Sequence, residues 1–204
     1  VITDDNINSF IEFPEYVSKK YKDGYITRTH YSDLIRLELL KQYGGIWIDA
    51  TVLCESRTLI DNLFEGNTEF FVFKDPLALN EYVAVSSWLM YAKAQNPYLK
   101  TVENMLLEYW KVENYLCNYF LLHIFICIVA ELKPDEWKKI PAYSCQPPHI
   151  LQNELFDVYD KRRFNQLMEM SSIHKLSYKF AEEQFERNDT VYQHLKQLYL
   201  DEKV

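Results

Sequence analysis

Apolar and polar positions alternate along the chain in blocks that change period several times. Residues 11–22 mix apolar and charged positions around Pro14, which predicts a helix starting at or after that proline. Asp23-Gly24 marks a turn. The clearest helical pattern runs from Tyr31 to Tyr43, with Ser32 as the expected N-cap and Gly44-Gly45 as the stop. Ile46-Trp47-Ile48 is bulky and β-branched and predicts a short buried strand, with Asp49 at its end. Two more strands are expected, at Phe70 to Phe73 and at Val83 to Ser87. Asn96-Pro97 interrupts the pattern ahead of a helix from Tyr98 to Glu113.

Tyr115 to Leu132 is strongly apolar and is followed by Pro134. Its length approaches the roughly 20 residues of a membrane-spanning helix. Asn118 and His123 lie within it, and no basic cluster flanks it, so a buried core helix is favoured over a span. Pro141 to Pro148 reads as loop, and Asn153 to Glu169 and Tyr178 to Leu200 as mostly helical. Strands alternating with helices predict one α/β domain over residues 1–204, richer in helix in its second half.

Composition sharpens this picture in three ways. The 204 residues hold 4 Gly but 32 aromatics (16 Tyr, 12 Phe, 4 Trp), which fits a stiff, helix-rich chain. The net charge of −8 argues against nonspecific nucleic-acid binding, which needs a basic footprint. Cys54, Cys117, Cys127 and Cys145 match no zinc spacing and read as reduced, buried thiols of a cytosolic protein. The chain starts without Met on what reads as a strand end, so its numbering is expected to begin inside a longer protein.

The helix over Tyr31 to Tyr43 carries the first candidate chemistry. Asp33 and Arg36 lie about 60° apart around its axis. Leu37, Leu39, Leu40 and Tyr43 fall in the same arc, with Glu38, Lys41 and Gln42 opposite. The two charges are therefore embedded in the apolar face, where burial costs several kcal/mol per ion unless they are paired. They are either a structural ion pair or a pair held at the floor of a cleft. Asp49, at the carboxyl end of a strand, stands where open α/β sheets bind ligands. It is either a turn residue or a carboxylate for a ribose or a divalent ion.

Tyr31-Ser32-Asp33-Leu34-Ile35-Arg36, with Leu40 and Tyr43-Gly44-Gly45-Ile46-Trp47-Ile48-Asp49-Ala50-Thr51-Val52, resembles the signature of the capsular polysaccharide synthesis glycosyltransferases. These are relatives of the DXD-containing sugar transferases. The similarity continues at Ser87-Trp88, at 118–123 and at 173–176, over nearly the whole chain. It implies a GT-A-like nucleotide-sugar-binding domain with an open, mostly parallel sheet. It implies a hexosyltransferase-type activity that moves a sugar from a UDP- or GDP-sugar to a polysaccharide or glycolipid acceptor, with retention. Asp33 and Arg36 would hold the donor sugar, and Asp49 would reach the ribose or a metal. His174 and Lys175 are candidates for the diphosphate, or else an exposed basic pair at a helix start. Trp88 is a candidate stacking ring or else core.

Two departures accompany the resemblance. Thr51 stands where the second DXD aspartate would be, and a hydroxyl is a poorer ligand for Mn²⁺ or Mg²⁺ than a carboxylate, so the metal requirement stays open. The resemblance implies an earlier strand that helps to hold the nucleotide base, and Val1 is expected to begin at the strand that follows it. A non-catalytic, truncated GT-A-like domain that binds a sugar or partner is therefore the alternative. No general base is assigned. The expected location is cytoplasmic, against the inner face of a membrane and without a transmembrane span.

Overall fold

The computed structural model describes residues 2–3, 5–74 and 84–200. The chain folds as two compact units. The first comprises residues 1–48 and 67–143, the second residues 49–66 and 144–204.

In the first unit, α1 (Glu15–Lys22) follows Pro14, as the proline predicts. The helix α2 (Arg28–Tyr43) begins a turn earlier than expected. Its cap is Thr27, whose hydroxyl accepts from the His30 N–H. Ser32 lies inside the helix and donates to the Thr29 carbonyl at 2.7 Å. Gly44 ends α2 with φ +68°, and Gly45 follows at φ +101°. A β-carbon on Gly44 would stand 2.7 Å from the Ala94 backbone nitrogen, so both conformation and space demand glycine there.

These two residues turn the chain into β1 (Gly45–Ile48). It lies at the edge of a three-stranded sheet in the order β1-β4-β3, with β3 (Phe70–Lys74) and β4 (Val85–Ala92). As an edge strand β1 is half-buried along its length, not buried as expected. The β4 strand extends past the expected Ser87 to Ala92, and Val83 lies outside the described residues.

Both pairings of this sheet are antiparallel, with Trp47 opposite Met90 and Val72 opposite Met90 from the other side. The expected mostly parallel sheet is corrected on this point. A parallel pair needs a crossover of about a dozen residues or more, usually a helix packed on the sheet. Only ten residues separate β3 from β4, and β4 lies between β1 and β3, so both of its pairings run antiparallel. The helix that follows β1 in the chain, α3 (Thr58–Glu65), belongs to the second unit.

The core of the first unit forms where α2, α4 (Pro97–Val112) and α5 (Leu121–Leu132) pack together, α2 and α5 also lying on β4. Leu34, Leu37, Met90, Leu99, Val102, Trp110, Leu122 and Ile126 are buried there. Asn96 caps α4 through the Leu99 N–H, with Pro97 in the first turn, as the dipeptide predicts. The apolar segment 115–132 forms regular helix only over the 12 residues of α5. Among the described residues no helix is long and apolar enough to cross a membrane. Pro134 does not only end α5. It opens α6 (Pro134–Lys139).

In the second unit, β2 (Val52–Cys54) pairs antiparallel with β5 (Ile173–Lys175). The helices are α3, α7 (Gln146–Asn153), α8 (Lys161–Met170) and α9 (Val191–Tyr199). Pro147 and Pro148 thus start a helix instead of continuing a loop. A separate core of Leu151, Leu155, Phe164, Leu167, Val191 and Leu195 holds this unit. Of the four cysteines only Cys127 is buried; Cys54 and Cys117 are exposed and Cys145 is half-buried.

Candidate functional site

In the first unit the candidate chemistry of α2 is a fixed ion pair. Asp33 and Arg36 are one turn apart, and an Arg36 Nη lies 3.3 Å from an Asp33 carboxylate oxygen. Both residues are buried, at 8% and 5% exposure. The other Arg36 Nη donates to the Ser87 carbonyl of β4 at 2.7 Å. The guanidinium carbon lies 4.9 Å from the centre of the Trp47 ring of β1. One arginine is thus tied to its own helix, to the central strand and to an edge-strand ring. Such a guanidinium is oriented before any ligand arrives.

The arc read from helical spacing needs two corrections. Tyr43 is 56% exposed and donates to the Phe10 carbonyl. Glu38, expected on the solvated side, is buried beside Lys41. Lys41 also meets Glu103 of α4, which has no exposed surface. The cause is α4, which covers the face that an isolated helix would leave to water. Burial pushes the Glu103 carboxyl up to about 8, with Glu38 adding and Lys41 opposing.

Trp88 is buried at 6% exposure and stacks on Phe73 with ring centres 4.7 Å apart. Its surroundings are those of a core ring. His123 lies on α5, edge-on to Phe120. Burial pushes its imidazole down to about 4, and the Arg36 charge acts in the same direction.

In the second unit Asp49, Ala50 and Thr51 form a turn closed by the Val52 N–H donating to the Asp49 carbonyl at 3.1 Å. The ladder then sets Val52 opposite Lys175, and the Leu176 N–H donates to the Thr51 carbonyl at 2.8 Å. This register carries the Lys175 ammonium to the Thr51 hydroxyl, at 2.6 Å. The ammonium also donates to the Leu176 carbonyl at 2.8 Å. Burial lowers the Lys175 pKa, and the Asp49 carboxylate acts against that shift.

His174 and Lys175 do not begin a helix. They are successive strand residues and so point to opposite faces. His174 is fully buried, and burial lowers its pKa. Of the two, Lys175 is the one with exposed surface.

The Asp49 and Thr51 donor set suits a divalent cation poorly. Mg²⁺ and Mn²⁺ favour carboxylate oxygens, and here one carboxylate stands with a hydroxyl already engaged by an ammonium. Among the described residues no group of three or more His, Cys, Asp or Glu side chains is arranged to hold a metal ion.

Sequence spacing anticipated Asp33 with Arg36, because one helix positions both. It missed Ser87 as an acceptor, Trp47 as the ring beneath Arg36, and Lys175 as the partner of Thr51. The last pair is 124 residues apart and meets only through β2 and β5, two strands of three residues each.

The chain is 44% identical over 48 residues to the O-glycosyltransferase braB of Annulohypoxylon truncatum, a stretch covering 22% of this chain and 11% of that protein. The match thus spans about a tenth of the length of that curated relative. No solved structure matches the chain. The profile of a family described as capsular polysaccharide synthesis protein matches residues 1–195. Nearly the full length is covered, and the chain belongs to the capsular polysaccharide synthesis protein family.

Proposed function

We propose that this chain is a glycosyltransferase of the GT-A type. It moves a sugar from a UDP- or GDP-linked donor to a hydroxyl of a bacterial surface polysaccharide or glycolipid, with retention. The observation that carries the reading is the buried Asp33–Arg36 pair, with Arg36 fixed on the Ser87 carbonyl and over Trp47. A charged pair inside an apolar helix face costs several kcal/mol per ion in desolvation. Hydrophobic residues would stabilise that face as well or better, so its retention fits a task in binding. Family membership and the glycosyltransferase relative support the same class.

The roles follow from chemistry. In the first unit, Asp33 accepts from donor-sugar hydroxyls and Arg36 donates to them. Both are pre-oriented, so little ordering entropy is lost on binding. In the second unit, Asp49 accepts from the ribose hydroxyls. Glycosyl transfer passes through an oxocarbenium-like state with a departing diphosphate, whose growing charge needs a fixed cation. Lys175 supplies that charge. Retaining transfer makes no demand for a strong general base, and none is assigned.

The test is a thermal-shift comparison of UDP, GDP and their sugar conjugates. A ligand that binds only the folded chain stabilises it by about 2.7 kcal/mol at a hundredfold excess over Kd. One nucleotide series is expected to raise Tm, with its sugar conjugate exceeding the bare diphosphate. Asp33→Asn is expected to remove that sugar-dependent increment and leave the shift from the diphosphate. A flat response to every nucleotide from folded protein would favour a non-catalytic binding domain.

A further inference from the structure

We infer that the Lys175 ammonium serves in place of a divalent cation, so that this chain binds its donor's diphosphate without metal. The inference rests on the nucleotide-sugar reading above and specifies how its phosphate end is held.

The carboxylate of Asp49 and the side chain two residues on would be the protein's ligands to a metal in a DXD arrangement. Here the second of these is a hydroxyl, and it is occupied. Thr51 Oγ1 accepts from Lys175 Nζ at 2.6 Å. The short β2–β5 ladder and the Leu176 N–H bond to the Thr51 carbonyl fix that contact, so it is built into the backbone register. A dication brought to Asp49 and Thr51 would meet a like charge at hydrogen-bond distance from one of its two ligands. The Asp49 carboxylate is already balanced in part by the same ammonium, which it stabilises in the charged form.

The ammonium is also placed to act on an anion. It has three protons. Two are directed at Thr51 Oγ1 and the Leu176 carbonyl, and the third is the one a phosphate oxygen can take. Partial burial strengthens the attraction, since less water screens the charge. A lysine binds phosphate as a point charge, and its flexible stem can follow the group as it leaves. In the transfer step, the bond between the anomeric carbon and the diphosphate oxygen breaks with its electron pair staying on that oxygen. The acceptor hydroxyl oxygen forms the new bond to the anomeric carbon, and its proton passes to the departing diphosphate oxygen. Lys175 neutralises the departing charge and is itself unchanged.

Three measurements test this. Mn²⁺ alone, titrated into the protein and followed by its free-ion electron paramagnetic resonance signal, is expected to show no saturable site. UDP or GDP, titrated calorimetrically, is expected to bind with similar affinity in EDTA and in Mn²⁺. Lys175→Ala, checked for native circular dichroism, is expected to weaken that binding about tenfold or more. Lys175→Arg, which keeps the charge, is expected to recover part of it. A Mn²⁺ site lost in Asp49→Asn, or nucleotide binding that appears only with Mn²⁺, would overturn the inference while leaving the donor reading intact. Absence of both nucleotide binding and donor turnover, with and without Mn²⁺, would overturn the donor reading and the inference together.

Discussion

Arg36 reaches Asp33 at 3.3 Å within one turn of α2 and spends its other terminal nitrogen on the Ser87 carbonyl of β4. The pair therefore locks helix to sheet as well as presenting polar groups. Arg36→Ala leaves Asp33 and Ser87 without the guanidinium in a buried place and is expected to cost about 3–5 kcal/mol. Arg36→Lys keeps the charge but loses the fork and much of the contact with Trp47, so it is expected to fold and to bind donor sugar weakly. Urea midpoints paired with ligand titrations separate the two effects.

Thr27, and not Ser32, starts α2. Thr27→Ala is expected to cost about 1 kcal/mol, the usual value of a lost N-cap. Ser32→Ala removes only a bond from an exposed hydroxyl back to the Thr29 carbonyl and is expected to stay within about 0.5 kcal/mol of neutral. Equilibrium unfolding of both variants makes the comparison.

The two glycines after α2 are not equivalent. Gly45→Ala meets open space and is expected to cost about 1–2 kcal/mol, from its positive φ alone. Gly44→Ala adds a contact of 2.7 Å with the Ala94 backbone nitrogen, which no rotamer relieves. It is expected to be clearly the more destabilising in the same unfolding assay.

Two buried groups give the stability opposite slopes with pH. The folded Glu103 carboxyl titrates at about 8, above the ordinary 4.5, so the folded state holds the extra proton between those values. Its contribution is full below about 4.5 and is lost as pH rises towards about 8. His123 is depressed to about 4 from 6.5, so its contribution is present above 6.5 and is lost as pH falls through 4. Glu103→Gln is expected to flatten the alkaline fall in urea midpoint and leave the acid limb in place. An unchanged alkaline limb would show that Glu103 does not cause it.

Much of the fold could be read from local signals, and the exceptions have a common cause. Pro14, Asn96-Pro97 and Gly44-Gly45 marked element ends correctly because caps and turns act over a few residues. Strand direction differs from the expectation because alternation of strand and helix does not reveal strand order, and β4 lies between β1 and β3 after a connection of only ten residues. The burial of Glu38 depends on α4, and the meeting of Thr51 with Lys175 depends on pairing across 124 residues. Neither leaves a local mark. Of the candidate residues, Asp33 and Arg36 were legible together because one helix carries both. His174 and Lys175 looked equivalent, and only the strand places the imidazole inside and the ammonium at the surface.

The most direct test of the account is donor consumption followed by phosphorus NMR, with UDP- and GDP-sugars supplied one at a time. Release of the nucleoside diphosphate from one series is predicted, with Arg36→Lys and Asp49→Asn variants that fold but release little or none. Release that is indifferent to both substitutions, or no release from any donor with acceptor glycan present, would contradict it.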